Sequence, residues 1–143
     1  MPELEMDQAI ANALRLNKAV SDNGVGIAYS ELDQAIRSFE GEGYPLDAII
    51  PQGADAHLGF SLRRADGKSF FDIYAGLIRK NLCGGDGEFN KLVKSGLNTS
   101  VGAILTAIVT TLGIPAVALG IMIPIAVIIA NTGIDAFCEW TKE

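Results

Sequence analysis

The chain has 143 residues, of which 49% are hydrophobic and 20% are charged, and its formal net charge at pH 7 is −6. This length allows one ordinary domain or a small domain with an appended element, and the hydrophobic fraction excludes disorder as the general state. The densest basic cluster is only Arg63, Arg64 and Lys68. The sequence therefore argues against nucleic-acid binding, which needs many cations placed against phosphates.

Residues 1–94 are predicted to form an acidic helical region. Apolar residues recur at helical spacing near 3–20, 30–40 and 69–82, and glycines follow each of these stretches. The stretch 44–68 contains two prolines and three glycines without a sustained period, which predicts an irregular loop. A further short helix is expected from Glu88, and no helix-breaking residue separates it from the residues that follow.

Residues 95–134 carry no charged side chain, and we refer to these 40 residues as the uncharged segment. Gly113 and Pro115 divide it, because glycine suits a tight turn and proline suits the first turn of a helix. Two helical arms are therefore predicted, at about 96–112 and 115–131, followed by a short polar tail at 135–143. The predicted fold class is all-α, a small helical domain followed by a hydrophobic helical hairpin.

The uncharged segment raises the question of what covers it. An arm of about 17 residues is about 26 Å long, slightly short of the hydrocarbon core of a bilayer, which is about 30 Å thick. A helix that is apolar on all sides must be covered by lipid or by protein, and residues 1–94 offer little material for enclosing two such arms. These considerations favour contact with a membrane or with other copies of the chain.

Small residues recur along both arms at helical spacing, which allows helix backbones to approach closely. The same rows also occur in tightly packed soluble helix pairs. Trp140, just outside the segment, is a candidate interfacial anchor. The predicted membrane or oligomer interface comprises Thr99, Gly102, Thr106, Thr110, Gly113, Pro115, Ala116, Gly120, Pro124, Ala126, Ala130 and Trp140.

In design, the uncharged segment resembles the hydrophobic helical hairpin of pore-forming colicins, an apolar helix pair with a glycine-containing tip inside an otherwise helical domain. The resemblance covers about 40 residues and rests on composition. The basic, charge-rich helices that surround such a hairpin in colicins have no counterpart in this sequence. The resemblance implies a domain that delivers the hairpin to a bilayer.

Two functional hypotheses of different class follow. The favoured one is a non-enzymatic, membrane-active protein that inserts the hairpin into a bilayer and oligomerises into a pore or a permeability-disrupting effector. The alternative is a soluble helical adaptor or structural protein whose apolar helices form a homo-oligomer core or dock on a partner protein. The charges among the first 25 residues argue against a secretory signal peptide, so the expected location is intracellular and membrane-associated.

The sequence offers no convincing chemistry. The sole histidine, His57, has no nucleophile motif beside it, and together with Asp55 it supplies too few ligands for a metal site. The stretch "SDNGVGIAYSEL" at 21–32 is a degraded EF-hand loop and is better explained as a turn between helices. Cys83 and Cys138 are expected to be reduced thiols, with a disulfide left open. We therefore predict no enzymatic activity, no cofactor and no metal.

Overall fold

The structure is a computed structural model that describes residues 5–50, 67–83 and 87–139. Every regular element in these ranges is helical, which confirms the predicted all-α class. The α-helices are α1 (Met6–Asn23), α2 (Gly26–Gly41), α3 (Gly67–Leu82), α4 (Glu88–Lys94), α5 (Val101–Leu112), α6 (Leu119–Thr132) and α7 (Ile134–Glu139). Two short 3₁₀ helices lie at Leu46–Ile49 and Ala116–Ala118.

The first three helices lie close to their predicted positions. A capping box formed by Glu5 and Gln8 starts α1, and the chain leaves this helix at Gly24, whose φ of +100° suits glycine. Helix α2 begins at Gly26, four residues before the predicted start, because the capping signal at Ser30 is not used. Helix α3 begins at Gly67 and ends at Leu82, within two residues of the prediction.

The entry to the uncharged segment differs from the prediction. A continuous helix from Glu88 into the first arm was expected, but α4 ends at Lys94 and the backbone turns at Gly96, whose φ is +77°. Ser100 then caps α5, its hydroxyl oxygen accepting a hydrogen bond from the backbone N–H of Ala103 at 3.4 Å. The first arm is therefore 12 residues long rather than 17. The break falls in the stretch SGLNTS at 95–100, where a glycine with positive φ and a serine cap separate the two helices.

Helix α6 lies at the centre of the fold. All ten residues from 121 to 130 are buried, and α1, α2 and α5 each pack against this helix. The expectation that residues 1–94 could not enclose such an arm is therefore wrong for α6. The inner faces of α1 and α2 supply its cover through small or branched side chains, namely Ala9, Ala13, Val20, Ala28, Leu32 and Ile36.

A buried hydrogen bond joins α3 to the short 3₁₀ helix that follows α2. The Tyr74 hydroxyl donates to the backbone carbonyl of Ile49 at 2.6 Å. Burial raises the pKa of Tyr74 above its ordinary value, so the hydroxyl stays protonated and remains a donor. No charged side chain is buried among the residues that the structure describes, so the core is held mainly by apolar packing.

Truncation of α6 tests its place in the core. Ile125 is fully buried, and Ile125→Ala is expected to lower the free energy of unfolding by about 2–5 kcal/mol, because it removes apolar contacts and leaves a cavity. Leu14 on α1 is 54% exposed, and Leu14→Ala is expected to change this energy by no more than about 0.5 kcal/mol. Urea denaturation followed by circular dichroism measures both variants. Equal effects would contradict the central position of α6.

Candidate functional site

The outer side of α5 is the main surface that the uncharged segment presents. We call it the α5 face. Four of its residues are exposed and three are half-buried. Five of them lie within the helix at intervals of three and four residues and so share one side, while Thr99 lies just before its N-cap and Gly113 is its C-cap. The α5 face comprises Thr99, Gly102, Ala103, Thr106, Val109, Thr110 and Gly113. It is free of charge and built from small side chains.

The α5 face is less polar than its threonines suggest. The Thr106 hydroxyl donates to the carbonyl of Gly102, one turn earlier, at 2.8 Å. Its hydrogen-bond donor is therefore satisfied within the helix. At the edge of the face, a Cβ added to Gly102 would lie 3.3 Å from Cγ2 of Ile10, so this glycine allows close approach of α1. The outward surface consists largely of methyl groups, bare backbone and threonine hydroxyls, of which that of Thr106 is bonded within the helix.

Gly113 forms the turn that ends α5. Its φ of +63° and ψ of +41° are left-handed, and its N–H donates to the carbonyl of Val109. Pro115 follows in an extended conformation and precedes the 3₁₀ turn, after which α6 begins. Helices α5 and α6 then pack against each other.

The other predicted interface residues divide between the surface and the interior. Pro115, Ala116 and Gly120 are half-buried near the turn. Further along α6, Pro124, Ala126 and Ala130 are buried and do not reach the surface in this form. Trp140, His57 and Asp55 lie outside the described residues. The structure therefore brings the predicted residues of the first arm onto one face and places most of the second arm's row inside.

A groove of about 570 Å³, which no pattern in the sequence indicates, lies between α1 and α2. Its floor is α6 at the position of Pro124, which has no N–H and so donates no helical hydrogen bond to the carbonyl of Gly120. Polar side chains such as Arg15 and Glu31 line it together with apolar ones. The complete lining is Asn12, Arg15, Leu16, Ala19, Ile27, Glu31, Gln34, Ala35, Ser38, Gly120, Ile123 and Pro124.

A disulfide joins the two sequence regions that flank the uncharged segment. The sequence favoured reduced thiols, but the structure bonds Cys83 to Cys138, with their Cα atoms 5.7 Å apart. The fold brings the end of α3 beside α7, a proximity that a separation of 55 residues does not reveal. The neighbouring Phe137 is buried between ring systems of other helices, with centroids 6.3 Å from Phe71 and 6.1 Å from Phe89.

Within the described ranges, no three His, Cys, Asp or Glu side chains are grouped so as to hold a metal ion. Nor does any helix in these ranges combine the length and the hydropathy that crossing a bilayer requires. No protein-family model, curated protein or solved structure matches this chain. Function must therefore be argued from the surfaces themselves.

Two glycine substitutions test the geometry beside the α5 face. Gly113→Ala is expected to lower the free energy of unfolding by about 1 kcal/mol, because an L side chain is disfavoured at its positive φ. Gly120→Ala is the matched control. A Cβ there meets no atom within 4 Å and the residue is helical, so the change should be neutral or slightly stabilising. Thermal unfolding measures both, and a stabilising Gly113→Ala would contradict the left-handed turn.

Proposed function

We propose that this protein is a non-enzymatic helical interaction module that docks through the α5 face onto another helix, in the first instance onto the α5 face of a second copy. The observation that carries the proposal is the absence of charge from a surface that is open to solvent. Such a module corresponds to an adaptor or structural protein.

A core function accounts for only part of the uncharged segment. Helix α6 is enclosed on all sides and therefore needs apolar residues all round. Helix α5 packs against α1, α3, α4 and α6 through its buried positions, yet its exposed positions are as free of charge as its buried ones. Exposed positions of α1, by contrast, carry Asp7, Arg15, Lys18 and Asp22. A requirement other than burial within this fold is needed to explain the α5 face.

Docking of a helix supplies that requirement. Small side chains at intervals of three and four residues allow two helix backbones to come close, and Ala103, Thr106 and Thr110 have this spacing. A twofold axis would place the same face on both partners, so each copy would offer the surface that the other needs. With a net charge of −6 per chain, two copies repel each other, and an uncharged face is where that repulsion acts least.

A second candidate is the membrane-active protein, and one set of hydrogen bonds favours it. Polar side chains of the uncharged segment donate to carbonyls four residues earlier: Thr106 to Gly102, Asn131 to Val127 and Thr132 to Ile128. Donors satisfied in this way do not oppose transfer into lipid as unpaired donors would.

Membrane entry would nevertheless require a rearrangement. At the helical rise, α5 and α6 are about 18 Å and about 21 Å long, against about 30 Å of hydrocarbon. Helix α6 would also have to leave the cover of α1 and α2. Docking through the α5 face needs neither change, and for this reason we rank it first.

A charged residue on the α5 face tests docking. We expect the purified protein to sediment above the 15.1 kDa of one chain at high concentration, and we expect Thr110→Arg to restore the single-chain mass by placing two cations in the contact. Ala11→Arg, at an exposed position of α1, is the matched control and should sediment as the unsubstituted protein does. Sedimentation velocity measures all three. Association that persists in Thr110→Arg would remove the α5 face from the contact.

Vesicles distinguish the two candidates. If the protein acts by docking through the α5 face, we expect no release of dye from neutral phosphatidylcholine vesicles, because α6 stays covered by the other helices. Release by the unsubstituted protein but not by Thr110→Arg would instead favour the membrane-active candidate, since a cation on this face is costly to bury in hydrocarbon. Neutral lipid is used so that the added arginine gains no attraction to the headgroups.

A further inference from the structure

Helix α7 is held to the rest of the fold by the disulfide at Cys138, by the buried side chains of Ile134 and Phe137, and by hydrogen bonds to the backbone of both of these residues. It has six residues, and a helix of that length is not stable by itself. Its buried residues are Ile134 and Phe137. It packs on α6 and α4, while α1 and α2 cover other parts of α6. The bundle formed by α1, α2, α3, α5 and α6 therefore does not depend on α7 for most of its packing.

Phe137 makes several of the non-covalent contacts in this attachment. Its ring lies against Phe71 of α3 and Phe89 of α4, and the Arg79 guanidinium lies over the ring, 4.5 Å from its centroid. The Nε of Arg79 also donates to the carbonyl of Phe137 at 3.0 Å. All of these contacts involve one residue of α7, and they lie beside the disulfide.

The disulfide between Cys83 and Cys138 lies at the edge of the hydrophobic core. Both cysteines are half-buried and pack against the core residues. The bond closes a loop that contains α4, α5, α6 and most of α7, so it joins the chain on either side of the uncharged segment.

We infer that this disulfide is a redox latch, whose reduction releases α7 and uncovers the aromatic rings beneath Phe137 while the rest of the bundle stays folded. The reductant is a dithiol. Its first thiolate attacks one sulfur of the bond, which forms a mixed disulfide and releases the other cysteine as a thiolate. Its second thiolate then attacks the dithiol's own sulfur in the mixed disulfide and displaces the remaining cysteine thiolate. The dithiol becomes a disulfide, and Cys83 and Cys138 together accept two electrons and two protons.

The latch differs from a cross-link that stabilises the whole fold. Reduction of such a cross-link lowers the free energy of global unfolding, because it returns conformational entropy to the unfolded chain. Helices that exchange through global unfolding then lose protection together. Release of a latch changes the region around α7 first. It creates an apolar cleft lined by Phe71 and Phe89, which is distinct from the α5 face and does not depend on docking there.

Hydrogen exchange with mass spectrometry tests the latch on the full chain. We compare the oxidised protein, the protein reduced with dithiothreitol, and the reduced protein after reoxidation. On reduction, exchange in Ile134–Glu139 should accelerate by at least about tenfold while α1, α2 and the middle of α6 keep their protection. Reoxidation should restore the original pattern.

Two outcomes would overturn the inference. If Ile134–Glu139 keeps its protection after reduction, the non-covalent contacts alone hold α7. If all helices lose protection together, the disulfide is only a general stabiliser. Phe137→Leu, which keeps an apolar side chain and the disulfide, is the control, and its oxidised form should retain more protection in α7 than the reduced unsubstituted protein. Because the reduction is done on the unsubstituted chain, the test does not depend on a cysteine variant that fails to fold.

Discussion

The burial of α6 is the constraint on which the rest of the fold depends. This helix is apolar on every side, so each side must be covered, and α1, α2 and α5 provide the cover. The amphipathic pattern of α1 and α2 follows from this arrangement, since their apolar sides meet α6 and their charged sides meet solvent. One chain of 143 residues thus encloses a helix whose composition is typical of a membrane segment.

Helix α5 occupies a different position. Its inner side, with Ile104, Leu105 and Ile108, belongs to the core, whereas its outer side carries the α5 face. Nothing in the packing of α6 requires that outer side to be uncharged. The proposal of a docking surface follows from this difference between the two sides, and the membrane-active alternative uses the same surface in another way.

The packing around α6 differs at two places, which are the groove over Pro124 and the short helix α7. Proline removes one helical hydrogen bond from α6, and there the groove between α1 and α2 opens over its floor. At the other end of α6, the short α7 relies on Phe137 and on the disulfide.

Local patterns in the sequence predicted the helices, and the relations between distant residues were not predictable. Apolar spacing located α1, α2 and α3, and Gly113 marked the turn, because these signals act over a few residues. The end of α4 at Lys94 was missed, because the turn-forming stretch SGLNTS at 95–100 carries no charge and was included in the predicted uncharged helical arm. The enclosure of α6 and the Cys83–Cys138 bond depend on the tertiary fold, which the spacing of apolar residues along the chain does not reveal.

Five of the seven residues of the α5 face were in the predicted interface, but the sequence did not show their position. Thr99, Thr106 and Thr110 were selected for their spacing, which is the same whether the row faces solvent, another helix or lipid. Ala126 and Ala130 have similar spacing and are buried. Only the packing of α6 distinguishes the two rows.

The most direct test of this account is the dependence of urea unfolding on protein concentration, measured over about a hundredfold range without detergent. If one chain encloses α6, a folded species of 15.1 kDa exists at low concentration, and there the unfolding midpoint no longer changes on further dilution. If α6 is instead covered by other copies, the midpoint falls continuously with dilution and no folded single chain is found. The second result would contradict the central position assigned to α6.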